Sequence, residues 1–191
     1  FLLQLGVQRQ RQDWQSHNST PLTIEQEQFA VFMNALPFQL TGAQQRVIDE
    51  IRADVGRNRP MNRLLQGDVG SGKTVVAALG ANIVISGGAQ AAIMAPTSIL
   101  AEQHYRNFIK LLAGDGGTMQ QSEIRLLVGN TTESEKEAIR QGLQDGSIKI
   151  VIGTHAVIEP DVLFKDLQFV VIDEQHRFGV EQRAELRSKG T

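Results

Sequence analysis

The sequence predicts an α/β domain with a mostly parallel central sheet that is covered by helices on both faces. From residue 38 onward, short runs of apolar residues alternate with longer segments of helical periodicity. Runs that are apolar at successive positions are typical of strands buried on both sides, and their alternation with helices implies right-handed crossovers. The predicted strands are 63–66, 91–95, 124–128, 149–152 and 169–172, and the predicted helices are 43–55, 73–86, 99–113 and 133–144.

Residues 1–35 differ from the rest, and we predict a helical connector from an upstream domain that the sequence lacks. Residues 1–14 are mostly Leu, Gln and Arg, which is compatible with a helix, and 16–23 contain turn-forming residues. Thr23 is a candidate cap for a second helix, because Gln26 follows at capping-box spacing. The predicted domain then occupies residues 36–191.

Composition narrows the class of protein. A chain of 191 residues can bury roughly 70% of its unfolded surface, which is enough for an ordinary core. Cysteine is absent, which excludes disulfides, thiolate metal sites and thiol catalysis and fits a cytoplasmic location. No apolar run reaches the length of about 18 residues that a membrane span needs. The net charge of −2 gives no support for nucleic-acid binding, because DNA-binding domains are usually basic.

The first predicted strand leads into a glycine-rich turn, and an apolar helix face follows it. This turn has a glycine, four residues and then Gly-Lys-Thr, which is the P-loop pattern. Glycines let backbone N–H groups point at phosphate oxygens without a Cβ in the way, and the helix N-terminus adds a positive dipole end. We expect the Lys73 ammonium to bind the β- and γ-phosphates and the Thr74 hydroxyl to bind Mg²⁺. The residues of the turn are Gly67, Asp68, Val69, Gly70, Ser71, Gly72, Lys73 and Thr74.

The last predicted strand supplies the second half of this site. Residues 169–172 are apolar and end in Asp173 and Glu174. An acidic residue at the carboxyl end of such a strand can reach the Mg²⁺ of an adjacent P-loop, so Asp173 is the predicted metal carboxylate. Glu174 is the candidate base that orients or deprotonates the attacking water.

Three segments together resemble the RecG branch of the superfamily 2 helicases. They are 67–77, 95–104 and the string Asp-Glu-Gln-His-Arg-Phe-Gly-Val at 173–180. The resemblance covers 36–190 and implies the first RecA-like P-loop lobe of a DNA motor that uses ATP and Mg²⁺. The transcription-repair coupling factor Mfd is similar, but it usually has Glu at the position of Gln175. A nucleotide-dependent binding switch is a further alternative, which the adjacent pair of acids disfavours.

The resemblance also implies roles for residues that composition does not single out. Segment 38–44, with Phe38 and Gln44, is similar to the Q motif, in which the glutamine amide reads the edge of adenine. His176, beside Gln175, would couple the ATP site to the rest of the motor. The implied DNA contacts are Pro96, Thr97, Gly129, Gly153, Thr154 and His155, and Asn130 and Thr131 suit ordinary turn and cap chemistry equally well.

For the intact protein, the resemblance implies remodelling of branched DNA, as in fork reversal, recombination and repair. Its partners would be branched or duplex DNA and, within the same chain, a second RecA-like lobe and an upstream wedge domain. The second lobe normally supplies arginine fingers, which are worth roughly 10³–10⁵ in rate. We therefore expect this chain to bind ATP and Mg²⁺ but to hydrolyse ATP feebly. We also expect it to be a monomer.

Overall fold

The computed structural model describes residues 19–22, 26–36 and 38–179, together with residues 185 and 189. Within these residues no helix is both long and apolar enough to cross a membrane. The helices are α1 (Gln26–Ala35), α2 (Gly42–Val55), α3 (Lys73–Ser86), α4 (Ser98–Leu112) and α5 (Glu133–Asp145). The strands are β1 (Gln90–Met94), β2 (Ile124–Leu127), β3 (Ile150–Gly153) and β4 (Leu167–Ile172).

The four strands form one parallel sheet, as the sequence predicts, and their order in the sheet is β2-β3-β1-β4. In register, Ile93 of β1 lies between Ile152 of β3 and Val171 of β4. The two central strands are buried along their whole length, whereas β2 and β4 are partly exposed. Burial on both faces is therefore confirmed for the centre of the sheet and is incomplete at its edges, where each strand has one neighbour.

Helices cover both faces of the sheet. Side chains alternate between the two faces along each strand, so neighbouring residues of one strand belong to different core clusters. Ala91 and Ile93 of β1 face a core cluster with α1 to α4, whereas Ala92 and Met94 face a second cluster with α5 and the 3₁₀ turn His155–Ile158. Each of the four helices predicted after residue 38 lies within one residue of its observed bounds. The predicted α/β class with a doubly covered sheet is confirmed.

The predicted strand 63–66 is wrong. The structure shows no strand there, and Leu64 and Leu65 are 65% and 37% exposed. The apolar pattern indicated burial, but a strand also needs hydrogen bonds to a neighbour, and edge strand β4 does not pair with this segment. Instead, the guanidinium of Arg63 forms ion pairs with Glu50 and Asp54, which hold the segment against α2.

Helix α1 packs against the domain that the sequence predicts to begin at residue 36. Phe29 and Phe32 of α1 are buried in the core cluster beside α2, and the Arg52 guanidinium lies 4.8 Å from the centre of the Phe29 ring. The helix predicted within residues 1–14 and the cap predicted at Thr23 lie outside the described residues. The connector and its boundary stay predictions.

Helix α3 runs antiparallel to the strands, so its N-terminus lies at the edge of the sheet where the strands end. The helix ends at Ser86, and after a short turn β1 begins at Gln90, so the C-terminus of α3 lies near the start of the strands. A helix of this length spans roughly 21 Å, which is enough to return across a short strand. The turn at 67–72 therefore lies at the edge where Asp173 follows β4.

We expect Gly153→Ala to lower the free energy of unfolding by about 3 kcal/mol, because it overpacks the sheet. A Cβ at this position would lie 2.0 Å from the carbonyl oxygen of Leu127 and 2.8 Å from Val157. Since Leu127 lies on β2, the clash would force β2 and β3 apart. Thermal unfolding measures the loss, about 6–12 °C for a domain of this size.

Gly129→Ala is the matched control, because a Cβ there meets nothing within 4 Å. Equal melting temperatures for the two variants would contradict the assigned steric role of Gly153.

Candidate nucleotide-binding site

The turn at residues 67–72 has the backbone that a phosphate site needs. Gly70 and Gly72 both have φ of +82°, in the left-handed region that favours glycine. Gly72 is the N-cap of α3, and it has no side chain to occupy the first N–H groups of the helix. Those groups and the positive dipole end suit an anion. A Cβ on Gly67 would lie 2.7 Å from the Ser71 hydroxyl, so the turn is closed tightly.

Lys73 lies against this turn. Its Nζ donates hydrogen bonds to the carbonyl oxygens of Gly67 at 2.7 Å and of Asp68 at 2.9 Å. The ammonium is thus held at the turn whose amides are predicted to bind phosphate. The side chain of Val69 is fully exposed, and Thr74 is half-buried in the first turn of α3.

Gln44 reaches the same turn from α2. Its Oε1 accepts a hydrogen bond from the backbone N–H of Thr41 at 2.9 Å, which completes a capping box, and its Nε2 donates to the carbonyl of Ser71 at 3.0 Å. An amide has a second donor hydrogen and a second lone pair, so Gln44 keeps the capacity to bind a ligand edge. Phe38, its partner in the sequence prediction, is exposed. The structure brings Gln44 to the P-loop, while adenine recognition stays a prediction.

Asp173 follows β4 directly and is held on both carboxylate oxygens. Its backbone N–H donates to the carbonyl of Met94 at 2.9 Å, which continues the pairing with β1. Its Oδ1 accepts from the backbone N–H of Glu174 at 3.0 Å, and its Oδ2 lies 2.8 Å from Nε2 of His104. Sequence reasoning did not single out His104, because its contact with Asp173 spans 69 residues of chain.

Glu174 has an unusual backbone. Among the described residues it is the one non-glycine with a positive φ, at φ 47° and ψ 49°. Such a conformation costs on the order of 1–3 kcal/mol and is found preferentially at active sites. Its carboxylate accepts a hydrogen bond from Nε of Arg177 at 2.8 Å, and both side chains are exposed. An exposed pair contributes about 0–1 kcal/mol, so the carboxylate is free to reorient.

The donor set fits Mg²⁺. Thr74 and Asp173 offer hydroxyl and carboxylate oxygens, which are the ligands that this hard cation prefers. The described residues contain no group of three or more His, Cys, Asp or Glu side chains that could cage a metal ion. Mg²⁺ is usually held by one or two carboxylates together with substrate phosphates, so two protein donors beside a phosphate site are sufficient. Gln175 is exposed in the 3₁₀ turn Gln175–Arg177, and the side chain of His176 lies outside the described residues.

The predicted DNA contacts lie at or just after the carboxyl ends of parallel strands, so they share one edge of the sheet with Asp173. Thr97 caps α4 by accepting from the backbone N–H of Leu100 at 3.3 Å, and Thr131 accepts from the backbone N–H of Val128 at 3.1 Å. Cap and turn chemistry therefore accounts for these two hydroxyls.

Other members of this set differ in exposure. Thr154 is buried, and Gly153 is confined by Leu127. Gly129, Asn130 and His155 are exposed and Pro96 is half-buried. The exposed residues are the ones that a nucleic acid could reach, and DNA contact stays a prediction for the whole set.

Helix α5, which follows the loop after β2, has a capped N-terminus. Thr132 caps α5 in a capping box with Glu135, whose carboxylate accepts from the hydroxyl of Thr132 at 2.7 Å and from its backbone N–H at 3.2 Å. These two hydrogen bonds lower the pKa of Glu135. The loop between β2 and α5 is thus fixed at its helical end by an acid that stays ionised.

The chain is similar to known helicases in sequence. Residues 41–189 match the family described as DEAD/DEAH box helicase. Over 190 residues the chain is 51% identical to the ATP-dependent DNA helicase RecG of Thermotoga maritima, covering all of this chain and 24% of that relative. It is 44% identical over 190 residues to the RecG of Aquifex aeolicus, covering all of this chain and 23% of that relative. The chain thus spans about a quarter of the length of these relatives.

Solved structures show the same fold. A structure of RecG bound to a three-way DNA junction matches with a TM-score of 0.82 and 50% identity, over 93% of this chain and 24% of that one. The DEAD-box helicase Mss116 bound to single-stranded RNA matches with a TM-score of 0.62 and 22% identity, over 87% of this chain and 34% of that one. At such low identity the second likeness shows the fold alone, and both agree with the predicted RecA-like lobe.

Proposed function

Because this chain belongs to the DEAD/DEAH box helicase family, we propose that it is the ATP- and Mg²⁺-binding motor lobe of a RecG-like DNA helicase. One observation carries the proposal. The P-loop at the N-terminus of α3 and the Asp173–Glu174 pair after β4 lie at the same edge of the parallel sheet, which is where open α/β sheets bind ligands.

Each half of the site has a distinct task. The N–H groups of the glycine turn and the Lys73 ammonium bind the phosphates, and Gln44 holds the turn and meets the adenine. Thr74 and Asp173 hold Mg²⁺, which when bound neutralises charge on the β- and γ-phosphate oxygens. Glu174 orients the water and takes its proton, and its strained backbone aims the side chain away from the regular strand.

Branched DNA is the substrate that we propose for the intact protein. A similar protein of 50% identity has been solved on a three-way DNA junction. We propose that this lobe meets DNA at the strand-end edge through its exposed loops and remodels it together with a second lobe and a wedge domain in the same chain. Because arginine fingers come from the second lobe, this chain alone binds ATP and hydrolyses it slowly. We further propose a monomer that acts in the cytoplasm.

A thermal melt with and without Mg²⁺-ATP tests nucleotide binding directly. Ligand at about 100 times its dissociation constant adds roughly 2.7 kcal/mol of stability, and this corresponds to about 5–10 °C for a domain of this size. We expect that shift in the wild type and its loss in Lys73→Ala, because the substitution removes the charge that binds the phosphates. A non-hydrolysable analogue should reproduce the wild-type shift.

Lys110→Ala is the control, because it removes the same charge from an exposed position in the last turn of α4. It should keep the full ligand-dependent shift. A wild type without any shift would refute nucleotide binding by this lobe, and an equal shift in Lys73→Ala would move the phosphate site elsewhere.

A further inference from the structure

His104 makes a contact that the roles given above do not use. It lies on α4, about two turns after the Thr97 cap, and its side chain is 16% exposed. Its Nε2 lies 2.8 Å from Oδ2 of Asp173, whose side chain is 34% exposed. An ionised carboxylate can only accept, so Nε2 carries the hydrogen and donates it.

This contact determines how Asp173 can present its oxygens. A carboxylate has about four lone-pair directions. Oδ1 uses one of them for the backbone N–H of Glu174, and Oδ2 uses one for His104. One direction on each oxygen remains for a metal or its water. Without His104, the contact with Glu174 would be the remaining hydrogen bond that the structure shows on this carboxylate, and rotation about the side chain would be less restricted.

We propose that His104 is a positioning residue that fixes the Asp173 carboxylate in the orientation that binds Mg²⁺. Partners that orient a ligating carboxylate typically contribute 10–100-fold to metal affinity. The inference rests on the proposed function, because it assumes that Asp173 meets the metal of a bound nucleotide. It also assigns a functional role to α4, because this helix carries both the N-cap Thr97 and the His104 side chain that contacts Asp173.

Metal affinity, measured without turnover, tests this role. The ADP-bound chain is titrated with Mn²⁺ as a spectroscopic substitute for Mg²⁺, and loss of the free-ion electron paramagnetic resonance signal reports binding. We expect His104→Ala to weaken Mn²⁺ binding at least about tenfold. ADP affinity in the presence of EDTA should stay within about twofold, because His104 acts through the carboxylate and not on the phosphates.

Two further variants separate positioning from folding. His104→Gln keeps a donor nitrogen at a similar distance from the backbone and should restore most of the Mn²⁺ affinity. Arg106→Ala is the matched control on the same helix, because it removes only an exposed pair with Glu102 and should leave Mn²⁺ affinity unchanged. Melting temperatures of all variants identify any that fail to fold.

A double-mutant cycle gives the decisive comparison. If His104 acts through Asp173, then His104→Ala should have less than about a twofold effect on Mn²⁺ affinity once Asp173→Ala is present. Additive losses, or wild-type Mn²⁺ affinity in His104→Ala, would overturn the inference. A wild type that binds no ADP would instead refute the proposed function, and the inference would be refuted with it.

Discussion

Gln90→Met is expected to lower the free energy of unfolding by at least about 2 kcal/mol, a large part of the 5–15 kcal/mol that stabilises a typical domain. Gln90 is 1% exposed at the start of β1. Its Nε2 donates to the carbonyls of Leu143 at 2.9 Å and Ile148 at 2.7 Å, and its Oε1 accepts from the backbone N–H groups of Lys165 and Asp166, both at 2.9 Å. The Lys165 N–H also donates to the Leu143 carbonyl at 3.1 Å, so these two groups stay paired in the variant. The Ile148 carbonyl and the Asp166 N–H lose the partner that the structure shows, at a cost of about 1–3 kcal/mol each.

The four hydrogen bonds add to the backbone pairing at this edge, where the Gln90 N–H donates to the carbonyl of Asp166 at 2.7 Å. They connect β1 to the C-terminal part of α5 and to the chain that enters β3 and β4. Methionine has a similar length and fills the space, so the loss reports hydrogen bonding and not a cavity. Urea unfolding measures the change in stability.

Gln141→Met is the matched control, since Gln141 is exposed on α5 and its side-chain amide donates to the carboxylate of Glu137. It should change stability by less than about 0.5 kcal/mol. A loss below about 1 kcal/mol in Gln90→Met would mean that water replaces the amide at these backbone groups.

The role of Gln90 shows where sequence reasoning stops. Apolar periodicity predicted the strand that follows this residue and each helix from 43 onward, because burial follows from side-chain chemistry. A polar residue just before an apolar run is predicted from the sequence to belong to the preceding turn. Its burial depends on which loops meet there, and that is decided by the strand order, which the pattern does not contain.

The candidate site likewise contains residues that the sequence predicts and a contact that it does not predict. The P-loop and Asp173 are predictable, because their chemistry demands particular residue types at a local spacing. The contact of His104 with Asp173 depends on how α4 lies against the sheet, so no local pattern reveals it. The error at 63–66 has the opposite cause, since the apolar pattern was present and the neighbouring strand was not.

Glu174→Gln is expected to lower the single-turnover rate of ATP hydrolysis at least about 100-fold, because a general base contributes roughly 10²–10⁴ in rate. Enzyme in excess over ATP and long reaction times make the slow wild-type reaction of this chain measurable. ATP binding, followed by the thermal shift, should stay within about twofold of wild type, since the substitution changes no phosphate contact.

Glutamine is the right replacement because it changes the chemistry and little else. It has the shape of glutamate, so the left-handed backbone at this position costs about as much in the variant as in the wild type. Its Oε1 can still accept from Arg177, and the exposed pair contributes too little for its weakening to unfold the turn. Loss of hydrolysis would then report loss of proton acceptance.

The pair of substitutions at Lys73 and Glu174 separates a motor from a nucleotide-dependent switch. In a motor the first removes binding and the second removes only hydrolysis, because one residue holds the phosphates and the other acts on water. A switch needs binding alone, so in a switch Glu174→Gln would leave the basal rate unchanged. Equal loss of ATP binding in both variants would exclude Glu174 as the base and assign it to nucleotide binding. Strong DNA-stimulated hydrolysis by the wild-type chain alone would show that this lobe does not depend on residues from a second one.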